Sequence, residues 1–247
     1  MTNIKSIISR ERLFLLFILS CSIIVLLSSA KTGSKEKVIQ IDLSKILNAR
    51  SVTSLTNGKL VSWTKGIDGN GEADGYLTMA ASLFKGDKTP KALPDNPLFP
   101  ANEKHPEILL HYSNNEGVSN QTYAVTRNSS FSFDVPVKHY SAMYLAFTSA
   151  EGASPIKIKL HYKDGIEIKS YEIPDYYIDV PDDSPDFCYL AHDLAKWGKT
   201  NNMTEKDHHN IDLLIIHPDA KRKLKTIQVE KSEAGYLVFW AATGVLK

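Results

Sequence analysis

The sequence predicts an all-β protein, an antiparallel β-sandwich, and three observations lead to this class. After residue 37 the chain is a series of short segments in which apolar and polar residues alternate, with turn residues between them. This period of two is typical of strands that have one buried and one solvated face. Helical periodicity is almost absent, and only residues 193–199 could form one or two helical turns. The chain shows neither an internal repeat nor an alternation of strands with helices, which favours a sandwich over an α/β fold.

The predicted strands carry the alternating pattern in nine places. They are residues 38–43, 107–112, 130–135, 142–148, 156–162, 166–173, 212–217, 224–230 and 236–242. Residues 156–173 form the clearest hairpin, because Lys-Asp-Gly supplies a turn between two alternating runs. Residues 85–106 contain five prolines and predict a long irregular connection. A single strand before this connection cannot make a stable sheet, so we predict one domain over residues 38–247.

Length and charge limit the functional classes. The 247 residues are enough for one large domain or two small ones. The net charge is +1, with both signs scattered along the chain. No basic face or run is concentrated enough to hold a phosphate backbone, so we predict no nucleic-acid partner.

The N-terminus predicts export from the cytoplasm. Residues 1–12 are polar and basic, and Leu13–Ala30 is almost wholly apolar, with small residues at Ser28 and Ala30. This pattern is typical of a secretory signal peptide, although the apolar run is also nearly long enough for a membrane anchor. We therefore predict residues 1–30 as a cleaved signal or an anchor, and residues 31–37 as a polar linker. The protein would then be extracellular or on the cell surface, and would contact a membrane only through residues 13–30.

Cysteine and glycosylation signals add little to this prediction. Cys188 is the only thiol after the export segment, so an internal disulfide cannot form there. We expect Cys188 to be a small buried residue. Asn120, Asn128 and Asn202 begin Asn-x-Ser/Thr sequences and would accept glycans in a eukaryotic secretory pathway.

The order of the predicted strands and loops resembles a known family. The motifs are "IDLSKILNARSVTS" (41–54), "GIDGNGEADGY" (66–76), "FDVPVKHYSAMYLAFTSAEG" (133–152), "IKIKLHYKDG" (156–165), "IPDYY" (173–177) and "KTIQVEKSEAGYLVFWAATGV" (225–245). They resemble the galactose-binding-domain-like jelly rolls, of the carbohydrate-binding-module type, that occur in secreted proteins. The resemblance covers nearly all of residues 38–244. It implies a jelly-roll β-sandwich that presents loops at one rim and often binds carbohydrate there.

The acidic loop at 66–76 is a candidate calcium site. Counted from Asp68, the loop lacks the glycine at position six and the glutamate at position twelve that an EF-hand requires. A different oxygen cage remains open, because Asp68, Asn70, Glu72 and Asp74 supply hard ligands, and jelly rolls of the resembled family often carry a structural calcium. The alternative is a solvated loop, in which aspartate, asparagine and glycine are present because they tolerate unusual dihedral angles.

Aromatic residues in predicted loops are candidate sugar contacts. Sugar rings pack their C–H faces on tryptophan and tyrosine, while acids and amides bind the hydroxyl groups. Trp63, Tyr176 and Trp197 fall in predicted loops or at strand ends, where a sandwich presents binding groups. The alternative is that each ring closes the end of the core. Trp240 lies within a predicted strand and is assigned to the core.

Catalytic signatures are not found in the sequence. It contains neither a Gly-x-Ser-x-Gly elbow nor a His-Glu-x-x-His motif. His208 and His209 are adjacent and point to opposite sides of an extended chain, so they cannot easily bind one metal. The sequence therefore predicts a non-catalytic carbohydrate-binding or adhesion module whose partners are glycans or extracellular proteins. The alternatives are a structural protein-interaction domain and a polysaccharide-active enzyme that uses acids such as Asp175, Asp179 or Asp193.

Overall fold

The computed structural model describes residues 37–125, 128–233 and 235–247. The predicted export segment, and the linker up to residue 36, lie outside the described residues. Of the described residues 53% are in strands and 4% in helices, which confirms the mostly-β class. Residues Lys37–Lys247 form one compact unit. No helix in the described ranges is long and apolar enough to cross a membrane.

Strands follow one another along almost the whole described chain. They are β1 (Val38–Gln40), β2 (Val52–Thr56), β3 (Lys59–Val61), β4 (Asp74–Leu77), β5 (Leu98–Phe99), β6 (Ile108–Leu109), β7 (Tyr123–Val125), β8 (Ser129–Lys138), β9 (Tyr140–Ala150), β10 (Ser154–Tyr162), β11 (Gly165–Ile173), β12 (Phe187–Gly198), β13 (Met203–Ile216), β14 (Leu224–Lys231) and β15 (Tyr236–Leu246). The helical elements are α1 (Met79–Phe84) and a 3-10 turn at Gly69–Gly71. Every predicted strand is found, so these predictions are confirmed.

The larger sheet has nine strands among the described residues. Its order is β1-β15-β9-β13-β12-β4-β2-β3, and β7 also pairs with β15. The sheet is mixed because β2 and β4 run parallel, with Val52 opposite Tyr76. The other pairs in this sheet are antiparallel. The parallel pair departs from the purely antiparallel arrangement that the sequence predicts.

The smaller sheet has the order β11-β10-β14-β8 in the described ranges, and its pairs are antiparallel. Strands β10 and β11 form the predicted hairpin, with Tyr162 opposite Gly165 across the turn. Gly165 has a φ of 143°, a left-handed conformation that glycine adopts without steric cost. A short β5–β6 pair stands apart from both sheets.

Both large sheets contribute side chains to one hydrophobic core. Phe131 and Phe133 of β8 lie against Phe239 of β15, with ring centroids 5.0 and 5.4 Å apart. Phe147 of β9 lies 5.2 Å from Phe239 on the other side. Burying one such ring stabilises the fold by about 1.5–3 kcal/mol. Phe239 therefore joins the two sheets, and each sheet turns its alternating apolar face toward it.

A second core covers the opposite face of the larger sheet. Trp240 of β15 lies there, 1% exposed, with its ring stacked 5.9 Å from Tyr76. Its Nε1 donates a hydrogen bond to Thr148 Oγ1 at 2.9 Å. Leu93 and Phe99 come from the proline-rich connection and pack in the same cluster. That connection therefore lies over the sheet, and the assignment of Trp240 to the core is confirmed.

Candidate functional site

The candidate site lies where β12 and β13 depart from regular pairing. Ala191 faces Ile211 and Leu194 faces His209, so β12 carries one extra residue between these pairs. The next pair is Lys196 with Glu205, which leaves three residues of β13 opposite one residue of β12. Bulges of this kind often occur beside functional sites, because they redirect side chains out of the sheet. The expectation of helical turns at 193–199 is wrong, since most of this segment belongs to β12.

Backbone strain accompanies both bulges. Asp193 of β12 has a φ of 62°, and His208 of β13 has a φ of 74°. Neither residue is glycine, so each left-handed conformation costs on the order of 1 kcal/mol. The two strained residues are close together, because the backbone N–H of His208 donates to Asp193 Oδ1 at 3.1 Å. Both conformations are unfavourable by themselves, so the surrounding structure must stabilise them.

A cleft of about 590 Å³ opens at the bulges and will be called the bulge cleft. It is lined by Tyr177, Asp179, Tyr189, His192, Asp193, His208 and Asn210. Its volume falls within the range of small-molecule sites, about 300–1,000 Å³. The rings of Tyr189 and His192 lie 5.4 Å apart. The bulge cleft thus combines aromatic surfaces with carboxylate and amide groups.

Lys91 forms ion pairs with two carboxylates at the bulge cleft. Its Nζ lies 2.5 Å from Asp193 Oδ2 and 3.0 Å from Asp207 Oδ2. The hydrogen bond from Lys91 holds the pKa of Asp193 below its usual value, so Asp193 is ionised at neutral pH. Possible metal-binding atoms of Asp193, Asp207 and His208 lie within 4.8 Å of one another. Lys91 already supplies the positive charge for both carboxylates.

Tyr189 is fixed between the strand and the preceding loop. Its hydroxyl accepts a hydrogen bond from the Val180 N–H at 2.7 Å and donates to Asp179 Oδ1 at 3.1 Å. These bonds connect Asp179 and Val180 of the loop to Tyr189 of β12.

Next to Tyr177 lies a group of charged and polar side chains around the buried Lys196, which will be called the lysine cluster. Its members are Lys196, Asp68, Asp74, Tyr176, Tyr177, Glu205 and His209. The Lys196 side chain is 3% exposed, and its Nζ lies 2.7 Å from Asp68 Oδ2 and 2.9 Å from Glu205 Oε1. Burial alone would lower the pKa of Lys196, but hydrogen bonds to Asp68 and Glu205 outweigh burial and raise it. Lys196 is therefore a permanent buried cation.

Glu205 belongs to the lysine cluster and is also partly exposed to solvent. Burial would raise its pKa, but hydrogen bonds from Tyr177 and Lys196 lower it to about 2. The Tyr177 hydroxyl donates to Glu205 Oε2 at 2.5 Å. His209 Nε2 lies 3.2 Å from the same oxygen, while His209 Nδ1 faces the Leu194 carbonyl oxygen at 2.7 Å. Glu205 stays ionised over the physiological pH range.

Tyr177 belongs to both the lysine cluster and the bulge cleft. Its hydroxyl is held by Glu205, and its ring lies 4.5 Å from Tyr176 and 4.9 Å from His209. Even so, the residue is 45% exposed and lines the bulge cleft. The lysine cluster thus holds one aromatic wall of the cleft in place.

The predicted sugar-binding rings are not at the surface. Trp63, Tyr176 and Trp197 are 3%, 2% and 4% exposed, so the expectation that loops present these rings to solvent is wrong. Trp63 is held inward because its Nε1 donates to the Trp197 carbonyl oxygen at 2.9 Å. Tyr176 is held by its hydroxyl, which lies 3.0 Å from Asp68 Oδ2. None of the three lines the bulge cleft.

The acidic loop contacts lysines of the protein itself. Asp68 and Asp74 lie 2.7 and 3.7 Å from Lys196 Nζ, and Glu72 lies 2.7 Å from Lys199 Nζ. In the part of the chain that the structure describes, these loop carboxylates do not form a converging metal-ligand group. The donor set as arranged fits a lysine ammonium rather than a calcium ion. Calcium binding by Asp68, Asn70, Glu72 and Asp74 is untested, and the lysine contacts lead us to expect none.

Turn geometry accounts for much of the loop composition. Asp68 accepts a hydrogen bond from the Gly69 N–H at 2.8 Å, and Asn70 has a φ of 54°. A Cβ atom at Gly66 would lie 1.8 Å from the Asp74 carbonyl oxygen, so only glycine fits there. Aspartate, asparagine and glycine are the residues that such turns require.

The three candidate glycosylation sites lie at the surface. Asn120, Asn128 and Asn202 are exposed. Asn120 Nδ2 donates to the Leu47 carbonyl oxygen at 2.9 Å. Glycosylation itself stays a prediction.

Several residues of the site were missed by the sequence interpretation. Lys91, Lys196 and Glu205 give no signal in a single sequence, because each is one charge among many. Histidine stands beside aspartate at 192–193 and again at 207–208. These two pairs meet because β12 pairs with β13, a pairing that the sequence does not reveal.

Comparison with known proteins gives no assignment. No family model matches the chain, and no curated protein matches it in sequence. Its function is therefore inferred from the geometry of the bulge cleft and from the sequence itself.

Proposed function

We propose that the protein is a non-catalytic carbohydrate-binding or adhesion module, and that the bulge cleft is its binding site. One observation carries the proposal. The cleft places the rings of Tyr177 and Tyr189 beside Asp193, Asp179 and Asn210. Tyrosine offers an apolar face at small entropic cost, and carboxylate and amide oxygens accept hydrogen bonds from sugar hydroxyls. A ligand with both apolar C–H faces and many hydroxyls suits this combination.

The proposal includes the fold type. We infer a jelly-roll sandwich of the galactose-binding-like type from the motifs in the sequence. Support comes from their positions, because the quoted segments coincide with β9, the β10–β11 hairpin and β14–β15. A shared core between the two large sheets also agrees with a sandwich.

The protein is proposed to act outside the cytoplasm. We infer that residues 1–30 direct the chain out of the cytoplasm, on the basis of the charged start and the apolar run. N-terminal sequencing of the secreted protein should begin near Lys31. Full-length protein in the membrane fraction would indicate an anchor instead, and full-length protein in the cytosol would contradict export.

Glycan binding is tested with the full chain on a glycan array, followed by calorimetric titration of each hit. We expect binding without turnover, and a loss of about tenfold or more in both Tyr177→Ala and Tyr189→Ala. Phe84→Ala is the matched control, because Phe84 is an aromatic residue 57% exposed on α1 and lies outside the cleft lining. Melting curves of each variant separate loss of binding from loss of fold.

Three results would contradict the proposal. An empty array, or hits whose affinity neither tyrosine variant changes, would remove the carbohydrate function. Release of reducing ends that Asp193→Asn abolishes would indicate a polysaccharide-active enzyme. Co-purification with a protein partner, together with an empty array, would favour a structural interaction domain.

A further inference from the structure

A second, smaller cleft adjoins the bulge cleft and shares a wall with it. Its volume is about 100 Å³, and its lining includes Asn102, Lys104, Phe187 and Tyr189. Tyr189 lines both clefts and stands between them. A volume of this size is below the range of an independent small-molecule site, about 300 Å³ and above. The smaller cleft is therefore better explained as an extension of the larger one.

The same loop borders both clefts. Tyr177 and Asp179 lie on the bulge cleft, while Val180, Pro181 and Asp182 lie on the smaller one. The loop is anchored at its middle, because the Val180 N–H donates to the Tyr189 hydroxyl. It is anchored again farther on, where the Lys104 ammonium donates to the Asp182 carbonyl oxygen. The two clefts share Tyr189 and this bordering loop, and together they will be called the groove.

The groove offers a different surface at each end. The bulge cleft presents Asp193, which is ionised, and Asp179. Lys91, the cation beside the cleft, is already shared by Asp193 and Asp207. The smaller cleft is lined by the half-buried Phe187 and by Lys104, whose charge is paired with Asp182 at 3.7 Å. A negatively charged ligand would be repelled at the first end, and a single small ligand would leave the second end empty.

We propose that the ligand is a linear, uncharged glycan of at least two sugar residues, an inference that rests on the proposed function. The glycan lies across Tyr189, with one sugar residue in each cleft. Tyr189 is the shared contact, and Phe187 contacts only the part of the chain in the smaller cleft. Affinity therefore depends on chain length, since each occupied cleft adds its own contacts.

The experiment is calorimetric titration of the full protein with β-1,4-linked gluco-, manno- and xylo-oligosaccharides of one to four residues. In at least one series we expect the Kd to fall at least tenfold between one and three residues. Phe187→Leu should weaken the trisaccharide at least fivefold more than the monosaccharide, whereas Tyr189→Ala weakens both. Phe84→Ala, outside the groove, should change neither. Because Phe187 also packs against the core, Lys104→Ala provides a second variant on the exposed side of the smaller cleft.

The outcomes separate this inference from the proposed function. Equal affinity for one and three residues would overturn the extended groove and leave a single-sugar site standing. A galacturonate trisaccharide that binds more tightly than every uncharged one would overturn the preference for uncharged chains. Failure of every oligosaccharide and of the array would overturn the proposed function itself.

Discussion

Asp212 provides the sharpest test of the energetics of this fold. It lies in β13 between Tyr189 of β12 and Phe147 of β9 and is 1% exposed. Neither of its carboxylate oxygens has a hydrogen-bond partner among the described residues. Burial raises its pKa from 3.8 to about 8. The physical reason is that an unpaired carboxylate loses far more hydration on burial than the neutral acid does. The folded protein therefore holds a proton at this position that the unfolded chain releases.

The sign and size of the effect follow from the difference between the two pKa values. The folded state binds more protons than the unfolded state between pH 3.8 and about 8, so stability falls as the pH rises through this window. One pKa unit corresponds to about 1.4 kcal/mol. Between pH 5 and pH 8 Asp212 should therefore lower the free energy of unfolding by about 4 kcal/mol. This is a large share of the roughly 5–15 kcal/mol that stabilises a typical domain.

The assay compares the full chain with Asp212→Asn by urea unfolding at pH 5 and at pH 8. The amide has nearly the same shape and cannot ionise, and other titrating groups contribute equally to both proteins. We expect the pH-dependent loss of stability to be smaller in Asp212→Asn by about 4 kcal/mol. Asp183→Asn, at an exposed position, should behave as the wild type. Identical pH dependence in wild type and Asp212→Asn would refute this reasoning.

Three further predictions concern the lysine cluster and the acidic loop. Lys196→Met leaves Asp68 and Glu205 without their cation, so we expect a loss of about 3–5 kcal/mol in urea unfolding; a loss below about 1 kcal/mol would show that the buried pairing is not needed. Calcium and Lys196 would compete for the same oxygen of Asp68, so we expect chelation to leave the melting temperature unchanged. A melting temperature that falls with chelator, and no longer does so in Asp68→Ala, would instead establish the calcium site. Gly66→Ala forces a Cβ against a backbone oxygen and should cost more than about 2 kcal/mol. Gly58→Ala meets no atom within 4 Å and should cost about 1 kcal/mol, from its positive φ alone; equal losses in the two glycine variants would contradict the steric argument.

The strands that the sequence predicts have either a regular alternation or a continuous apolar run. In β10, for example, Ile156, Ile158 and Leu160 face the core while Lys157 and Lys159 do not. The sequence does not predict strand β4, because β4 has only four residues and begins with Asp-Gly, a pair typical of turns. Strand β12 was missed because its bulge breaks the period of two and leaves a spacing that resembles a helical turn.

The candidate site could be predicted only in pieces. Asp68, Asp74 and Tyr176 were identified separately, as calcium and sugar contacts, and the structure brings them together around Lys196. Which residues meet depends on strand order: β12 pairs with the next strand, β13, and also with β4, which lies far earlier in the sequence. The direction in which an aromatic side chain points also depends on packing that composition does not encode. Trp63 is an example, because it packs against Gly75 and its Nε1 donates to the Trp197 carbonyl oxygen, which leaves it 3% exposed.

The position of β15 has a consequence for the order of events during synthesis. This last strand pairs with β9 on one side and with both β1 and β7 on the other. Until β15 has been synthesised, β1 and β7 have no neighbour among the described strands of this sheet, and the aromatic core lacks Phe239. The larger sheet therefore cannot form in full before β15 is available, so strands synthesised early wait for a partner that is synthesised after them.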